Sequence, residues 1–302
     1  MTLRAALVQT TCGDDPAANR TAVSALIREA VAAGAELVTT PEVTNIVTLS
    51  RRRQAELLRP EAEDETLAAF RDLAAELGVW VLAGSLALKA DDRSETRFVN
   101  RSFLIDDSGD VRARYDKIHM FDVDVGDGER YRESAGYRPG ERAVVADTPW
   151  GRLGLTICYD LRFPALYRAL AEAGAEILTV PSAFTVPTGR AHWEPLLRAR
   201  AIETGCFVLA PAQTGRHPVS AEDARRRVTH GHSLAVAPWG EVLADAGEAP
   251  GVSVVDLDLA EVASARAKVP SLANARPFAP PDLDEAKAVE RGPRAAPVRP
   301  GP

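Results

Sequence analysis

Short apolar runs alternate with helix-like segments along most of this 302-residue chain, and that alternation is what most restricts its fold. The apolar run LRAALVQT, for example, precedes a segment that Asp14 or Asp15 can cap at its start and that Gly34 can stop. Turn residues such as Asp107-Ser108-Gly109 also predict β-hairpins. The alternation favours a layered α/β protein, and the hairpins indicate that its sheets are mixed.

The domain organisation follows from where proline-rich sequence occurs. No linker rich in Pro, Gly and Ser divides the chain before residue 275, so we predict one domain over residues 1–275. The remaining residues, 276–302, contain seven prolines and few core-forming side chains. We expect this stretch to be a disordered C-terminal extension.

Charge and hydropathy exclude several classes of protein. The net charge of −7 argues against a nucleic-acid partner. No apolar run reaches the roughly 18 residues of a transmembrane helix, so we expect no membrane partner. We interpret the arginine triplet at 51–53, a tight basic cluster, as a solvated loop.

The cysteines indicate a reducing compartment. Cys12, Cys158 and Cys206 are odd in number and far apart, and no C-x-x-C motif occurs. These spacings do not form a disulfide framework, and we therefore predict a cytoplasmic protein.

Cys158 is the first candidate for chemistry. It follows the apolar run LGLTI and precedes a helix that begins near Pro164. A strand-to-helix turn is where open α/β sheets place ligands and exposed nucleophiles. From this segment alone, a small buried core residue remains an alternative reading of Cys158.

Glu42 and Lys117 also end predicted strands. With Cys158 they would place a carboxylate, an ammonium and a thiol on one rim of the sheet, although each charge alone also suits a solvated strand end. His230 and His232 occupy alternate strand positions, so their side chains share a face and could bind a metal together. No third ligand is apparent in the sequence. We therefore expect no metal and no cofactor.

Three stretches together resemble the nitrilase, or carbon–nitrogen hydrolase, superfamily: LVTTPE, YDKIHMFD and GLTICYDLRFP. The resemblance extends over nearly the whole of residues 1–275. It implies a four-layer αββα sandwich, in which two mixed sheets lie between helix layers. It also implies a Glu-Lys-Cys triad and a homodimer or higher homo-oligomer, with helices at 163–173 and 191–205 as candidate contacts.

The same resemblance implies a role for each site residue. Cys158 would attack an amide carbonyl and form a thioester, and Glu42 would move the protons. Lys117 and the backbone N–H of Tyr159 would stabilise the oxyanion. Glu133, in YRES, matches a second glutamate that supports the triad lysine in this family.

Within the superfamily the Nit branch is the most similar, on segments that include PSAF, RARAIET and GHSLAVAPWGEVLA. This likeness implies a carboxylate-bearing amide, above all a 2-oxoglutaramyl amide such as deaminated glutathione. The open alternatives are 2-oxoglutaramate, carbamoyl compounds, aliphatic amides and nitriles, and a non-catalytic binding protein of the same fold. Ala275 replaces an expected basic residue, and the loop at 217–228 is longer than expected.

Three residues are predicted to contact the substrate. Arg162 lies four positions after Cys158 and could pair with a substrate carboxylate, although an ion pair with a loop carboxylate such as Asp160 is an equal alternative. Phe184 and Thr188 are expected to wall the pocket, with ordinary loop packing as the alternative.

Overall fold

A computed structural model of the chain describes residues 1–92, 94–124, 130–220 and 226–280. Its helices, in chain order, are α1 (Pro16–Ala32), α2 (Arg51–Leu57), α3 (Glu65–Leu77), α4 (Pro164–Glu172), α5 (Val186–Thr204) and α6 (Ala260–Lys268). Short 3-10 turns cover Glu61–Glu63, Glu133–Ala135 and Cys158–Arg162.

The strands make up two six-stranded sheets and two small ribbons. The first sheet contains β1 (Thr2–Gln9), β2 (Leu37–Thr39), β3 (Trp80–Lys89), β4 (Phe98–Ile105), β5 (Val111–Asp116) and β16 (Gly251–Asp258). The second contains β8 (Val144–Thr148), β9 (Gly151–Leu155), β10 (Ile177–Thr179), β11 (Phe207–Ala210), β14 (Leu234–Val236) and β15 (Val242–Asp245). The ribbons are β6 (Asp122–Asp124) with β7 (Arg130–Arg132), and β12 (Thr214–Arg216) with β13 (Val228–His230).

Both six-stranded sheets have the same plan. Their orders are β16-β1-β2-β3-β4-β5 and β15-β14-β11-β10-β9-β8. In each, three parallel strands lie in the middle, β1-β2-β3 and β9-β10-β11, and antiparallel strands flank them. The sheets are therefore mixed, as the hairpin signals predicted.

Alternating side chains give the first sheet two apolar faces. Leu7 and Leu37 belong to the same core as Leu155 of the second sheet, whereas Val8 and Val38 belong to a core shared with α1 and α3. On the far side of the second sheet, α4 comes so close that a Cβ on Gly154 would lie 3.1 Å from Leu170 Cβ. The layers are therefore helix, sheet, sheet and helix, which confirms the predicted αββα sandwich.

The structure differs from the sequence prediction around the arginine triplet. Residues 51–57 form α2, which Ser50 caps by accepting a hydrogen bond from Arg53 N at 3.2 Å, so the prediction of a solvated loop is wrong. Gln54 anchors the helix by donating to the Tyr137 hydroxyl at 3.0 Å. That tertiary contact stabilises a helix of seven residues, a length too short to be stable in isolation.

The hairpin predicted at 107–109 is confirmed as the turn between β4 and β5. The segment from 119 to 142 includes the β6–β7 ribbon and the turn Glu133–Ala135. None of the helices described within 1–92, 94–124, 130–220 and 226–280 is both long and apolar enough to cross a bilayer.

One compact unit covers Met1–Leu272, and a second unit begins at Ala273. The boundary at residue 275 therefore stays a prediction. Most of the proline-rich extension, residues 281–302, lies outside the described residues, as do residues 221–225 of the loop at 217–228.

Candidate active site

The strand order brings the chemical groups predicted from the sequence to one edge of the molecule. Because β4 is antiparallel to both β3 and β5, β5 runs in the same direction as β2. Glu42 and Lys117 follow β2 and β5, so both leave the same edge. A parallel bridge between Thr10 and Gln213 joins the corresponding ends of β1 and β11. Cys158, after β9, consequently lies on the same side.

A cavity of about 780 Å³ opens at this edge. Its lining includes six of the residues predicted as site residues: Glu42, Lys117, Glu133, Cys158, Phe184 and Thr188.

Glu42 is buried, and hydrogen bonds at its carbonyl, at its carboxylate and at the backbone N–H of the next residue hold it in place. Its carbonyl accepts a hydrogen bond from Gln213 Nε2 at 3.0 Å, and its Oε1 accepts one from Asn100 Nδ2 at 3.0 Å. The next residue, Val43, has the left-handed φ of 47°, and its N–H donates to Ser85 Oγ at 2.8 Å. A β-branched residue rarely adopts that conformation, and the surrounding contacts hold it there so that Glu42 turns toward the cavity.

Lys117 joins the two glutamates. Its Nζ lies 2.8 Å from Glu42 Oε1 and 3.0 and 2.9 Å from the two carboxylate oxygens of Glu133. Glu133 also accepts a hydrogen bond from Phe121 N at 2.6 Å, which orients its carboxylate. The Lys117 side chain is only 2% exposed, so these contacts take the place of water around the ammonium group.

The charge states of the pair follow from these contacts. Burial opposes the charge of Lys117, but Glu133 and Glu42 outweigh it and raise the pKa of Lys117. Burial also opposes the charge of Glu42, but the positive charges of Lys117 and Arg227 hold the pKa of Glu42 below its ordinary value. At neutral pH the site therefore contains a carboxylate and a fixed ammonium side by side.

Cys158 begins the 3-10 turn Cys158–Arg162 that leads into α4. Its φ is 51°, and its N–H donates to the Pro181 carbonyl at 3.0 Å. Burial, followed by the negative charge of Glu42, raises the pKa of the Cys158 thiol, against the lowering effects of Lys117 and of a hydrogen bond from the Ala183 backbone. The group at rest is therefore a thiol whose proton faces a carboxylate.

Asp160 is a residue whose role the sequence did not reveal. It is fully buried and accepts hydrogen bonds from Ile157 N at 2.9 Å and Tyr115 Oη at 2.7 Å. It also contacts His119 through both the backbone N–H at 3.0 Å and Nδ1 at 2.7 Å. Asp160 thus ties the Cys158 turn to the segment around Lys117. Because these partners surround the carboxylate, Asp160 forms no ion pair with Arg162 among the described residues.

Arg162 and Tyr159 are not among the cavity-lining residues of the described chain. The Arg162 guanidinium lies 5.9 Å from the centroid of the Tyr159 ring and 5.7 Å from that of Phe184, and its Nη2 is 3.3 Å from His192 Nδ1. Tyr159 follows Cys158 directly in the turn. The substrate contact of Arg162 and the oxyanion role of the Tyr159 N–H stay predictions.

Several arginines line the cavity, and the sequence analysis assigned them no role in the site. The triplet at 51–53 and Arg227 all line the cavity. The triplet itself was the sequence signal for a role in the cavity, because clustered arginines can bind an anion as well as form a solvated loop. Arg227 stands among three arginines that border the long loop, and only the tertiary fold distinguishes it from Arg226.

His230 and His232 are not among the described residues that line the cavity. Their rings stack with centroids 4.6 Å apart, and His232 Nδ1 is 2.9 Å from Asp245 Oδ1. Within the part of the chain that the structure describes, no group of three His, Cys, Asp or Glu side chains is placed to hold a metal ion.

Comparison with known proteins gives the class to which this fold and site belong. The carbon-nitrogen hydrolase family matches residues 4–267, and the chain therefore belongs to that family. This confirms the family predicted from LVTTPE, YDKIHMFD and GLTICYDLRFP.

Individual relatives show which members of the family this chain resembles. The chain is 43% identical over 275 residues to the deaminated glutathione amidase of Yersinia enterocolitica, covering 90% of this chain and 92% of that one. Among solved structures it resembles the NitFhit protein of C. elegans, with a TM-score of 0.82 and 37% identity over 91% of this chain and 65% of that one. It also resembles Nit3 of Saccharomyces cerevisiae, a member of branch 10 of the nitrilase superfamily, with a TM-score of 0.77 and 28% identity over 89% of this chain and 94% of that one.

Proposed function

We propose that this protein is a cysteine-dependent amidase that hydrolyses a deaminated-glutathione-like 2-oxoglutaramyl amide through a thioester. The observation that carries the proposal is the arrangement of Glu42, Lys117 and Cys158 at one cavity, with Glu133 behind the lysine. The deaminated glutathione amidase at 43% identity supports the substrate.

Acylation begins with the thiol. Because the pKa of Cys158 is raised and Glu42 is ionised, Glu42 takes the thiol proton as the sulfur attacks the amide carbonyl. Lys117 has three N–H groups: one donates to Glu42, one is shared between the two oxygens of Glu133, and the third is available to the oxyanion. The Tyr159 N–H is the second proposed donor to that oxyanion.

The tetrahedral intermediate collapses when protonated Glu42 gives its proton to the amine nitrogen and the C–N bond breaks. The acyl group remains on Cys158 as a thioester. Glu42 then removes a proton from water, the hydroxide attacks the thioester, and Glu42 returns the proton to the sulfur. The overall balance is one amide and one water converted to a carboxylic acid and an amine.

Two substrates and one variant test this function. We expect the wild-type protein to release 2-oxoglutarate from deaminated glutathione faster than from 2-oxoglutaramate, and Cys158→Ala to release none from either. Circular dichroism of the variant checks that it is folded. A wild-type protein that is inactive on both amides would remove the proposed substrate, and carbamoyl compounds and nitriles would be assayed next.

We further propose that the enzyme is cytoplasmic. Its three cysteines are all unpaired, which supports a reducing compartment and hence the cytoplasm. We also propose a homodimer or higher homo-oligomer, in which α5 contributes to the contact. In support, Ile202 on α5 is apolar and 55% exposed.

A further inference from the structure

Asn100 is a buried polar residue at the cavity to which the proposed reaction gives no role. It lies on β4, its side chain lines the cavity, and only 2% of the residue is exposed. Its backbone is fixed on both sides, because Asn100 pairs with Ala87 of β3 and its carbonyl accepts a hydrogen bond from Lys117 N at 2.9 Å. The strand therefore holds the Asn100 side chain in one place beside the catalytic groups.

The two ends of the Asn100 amide are used unequally. Its Nδ2 donates to Glu42 Oε1 at 3.0 Å, whereas its buried Oδ1 has no hydrogen-bond partner among the described residues. A buried polar atom without a partner is costly, and an apolar side chain at this position would avoid that cost. The one contact that accounts for an amide here is the donation to Glu42.

Two donors meet on the same oxygen of Glu42. Lys117 Nζ lies 2.8 Å from Oε1, and Asn100 Nδ2 lies 3.0 Å from it. A carboxylate oxygen has two lone pairs, so these two hydrogen bonds fill Oε1. The carboxylate also forms a hydrogen bond with the Cys158 thiol, and Oε2 is the oxygen with lone pairs free to accept it.

The proposed reaction uses this carboxylate in every proton transfer. A proton moves from the Cys158 sulfur to Glu42 and on to the amine nitrogen, and a second one moves from water to Glu42 and back to the sulfur. A proton on Oε1 would have to face two N–H groups that are themselves donors, so protonation is disfavoured there. A carboxylate that rotated between steps would turn its proton away from the next acceptor.

We propose that Asn100 is a positioning residue that keeps Glu42 Oε1 occupied, so that Oε2 carries the proton in every transfer. This inference rests on the proposed function and adds to it the group that decides which oxygen is the acid and base. Lys117 alone would fill one lone pair of Oε1 and leave the other open to a proton. Asn100 closes that second position and acts on the reaction through Glu42.

The first test is Asn100→Ala, which removes the donor without adding a charge. We expect kcat for deaminated glutathione to fall by about 10- to 100-fold with KM within about threefold of the wild type, because the base loses its orientation. The rate falls in acid as Glu42 becomes protonated, and the lost hydrogen bond favoured its ionised form. The acid limb of the kcat/KM profile should therefore move to higher pH by about one unit.

The second test is Asn100→Asp, which keeps the shape of the side chain but puts another carboxylate next to Glu42. A like charge disfavours ionisation of Glu42, so the acid limb should move further than in Asn100→Ala. A residue that only filled space would give the reverse order of damage, because alanine leaves the larger void. The order of the two acid limbs thus separates orientation of Glu42 from packing.

Ser102→Ala is the matched control. Ser102 lies two residues further along β4, is buried, donates to the Ala83 carbonyl at 3.3 Å, and is not among the described residues that line the cavity. This variant loses one buried hydrogen bond from the same strand, and its kcat and pH profile should match those of the wild type.

An Asn100→Ala enzyme whose acid limb does not move, or whose loss lies in KM, would overturn the inference while the proposed reaction stands. So would an acid limb that moves less in Asn100→Asp than in Asn100→Ala. A wild-type enzyme that is inactive on every amide assayed would remove both the inference and the proposed function.

Discussion

At the scale of single residues, the protonation state of Cys158 determines how the site can work. Burial and the charge of Glu42 raise the pKa of the thiol, so very little thiolate exists at neutral pH before substrate binds. Glu42 has a lowered pKa and is ready to accept a proton. Nucleophile and base are therefore activated together during attack, and the resting enzyme is protected from unrelated electrophiles.

We predict that Glu42→Gln makes Cys158 more reactive toward a small alkylating reagent while it abolishes amide hydrolysis. Loss of the negative charge lowers the pKa of Cys158, and one pKa unit increases the thiolate fraction about tenfold. The measurement is the rate of labelling by iodoacetamide at pH 7.5, with the modified cysteine identified by mass spectrometry.

Cys206 is the internal control for that experiment, since it is fully buried away from the cavity. Its labelling rate should not differ between the wild type and Glu42→Gln. A slower reaction of Cys158 in the variant would show that Glu42 does not raise its pKa.

At the scale of elements, the β12–β13 ribbon holds Arg227 next to the cavity, and His217 fastens that ribbon to the body of the fold. His217 Nδ1 lies 2.6 Å from the Cys12 carbonyl, and its Nε2 lies 2.8 Å from Thr229 Oγ1. Burial lowers the pKa of His217 from 6.5 to about 4, against the raising effect of the Cys12 hydrogen bond. The ribbon is thus built around a neutral imidazole.

This histidine predicts a loss of stability in mild acid. Between pH 6.5 and about 4 the unfolded chain binds a proton that the folded chain does not, so stability falls as the pH falls. From pH 7.5 to pH 5 we expect His217 to contribute a loss of about 2 kcal/mol in the free energy of unfolding.

Urea unfolding at the two pH values measures this loss, with His217→Gln as the comparison. The variant keeps a hydrogen-bonding side chain but has no titratable group, so its decrease should be smaller than that of the wild type by about the same 2 kcal/mol. Equal decreases in both proteins would contradict the assignment.

At the scale of the whole molecule, an apolar surface lies where α5, the turn after β14 and the end of α6 meet. Ile202, Trp239 and Val269 are each more than half exposed. A Cβ on Gly240 would lie 2.7 Å from Ile202 Cδ1, which places the neighbouring Trp239 close to Ile202, and Val269 follows Lys268, whose Nζ lies 5.4 Å from the Trp239 ring centroid. Contiguous apolar surface of this kind is typical of a subunit contact.

We predict that the wild-type protein sediments as a dimer or larger assembly and that Ile202→Glu shifts it toward the monomer. A buried charge at a subunit contact opposes association, whereas the same charge on an exposed helix leaves the monomer's stability nearly unchanged. Sedimentation velocity over a range of concentrations measures the shift. Phe278→Glu, an apolar-to-acid change outside the Met1–Leu272 unit, is the control. A monomeric wild type would contradict the prediction.

The sequence by itself predicted a layered α/β protein, and the resemblance of three of its motifs to a known family implied the αββα sandwich and the candidate triad. Alternating apolar runs require strands and helices that each bury one face, and three local motifs put Glu42, Lys117 and Cys158 at strand ends. These are local features, because periodicity and motif spacing are properties of neighbouring residues.

Only the tertiary structure decided what surrounds those groups. Asp160 reads as a loop carboxylate and Arg227 as one of three adjacent arginines, yet the fold buries the first among four donors and places the second beside the nucleophile. The partners of both residues lie 41 or more positions away along the chain, apart from the turn residue Ile157 and the ribbon residue His217. Burial and long-range contacts set their charge environment, and no pattern of neighbouring residues contains that information.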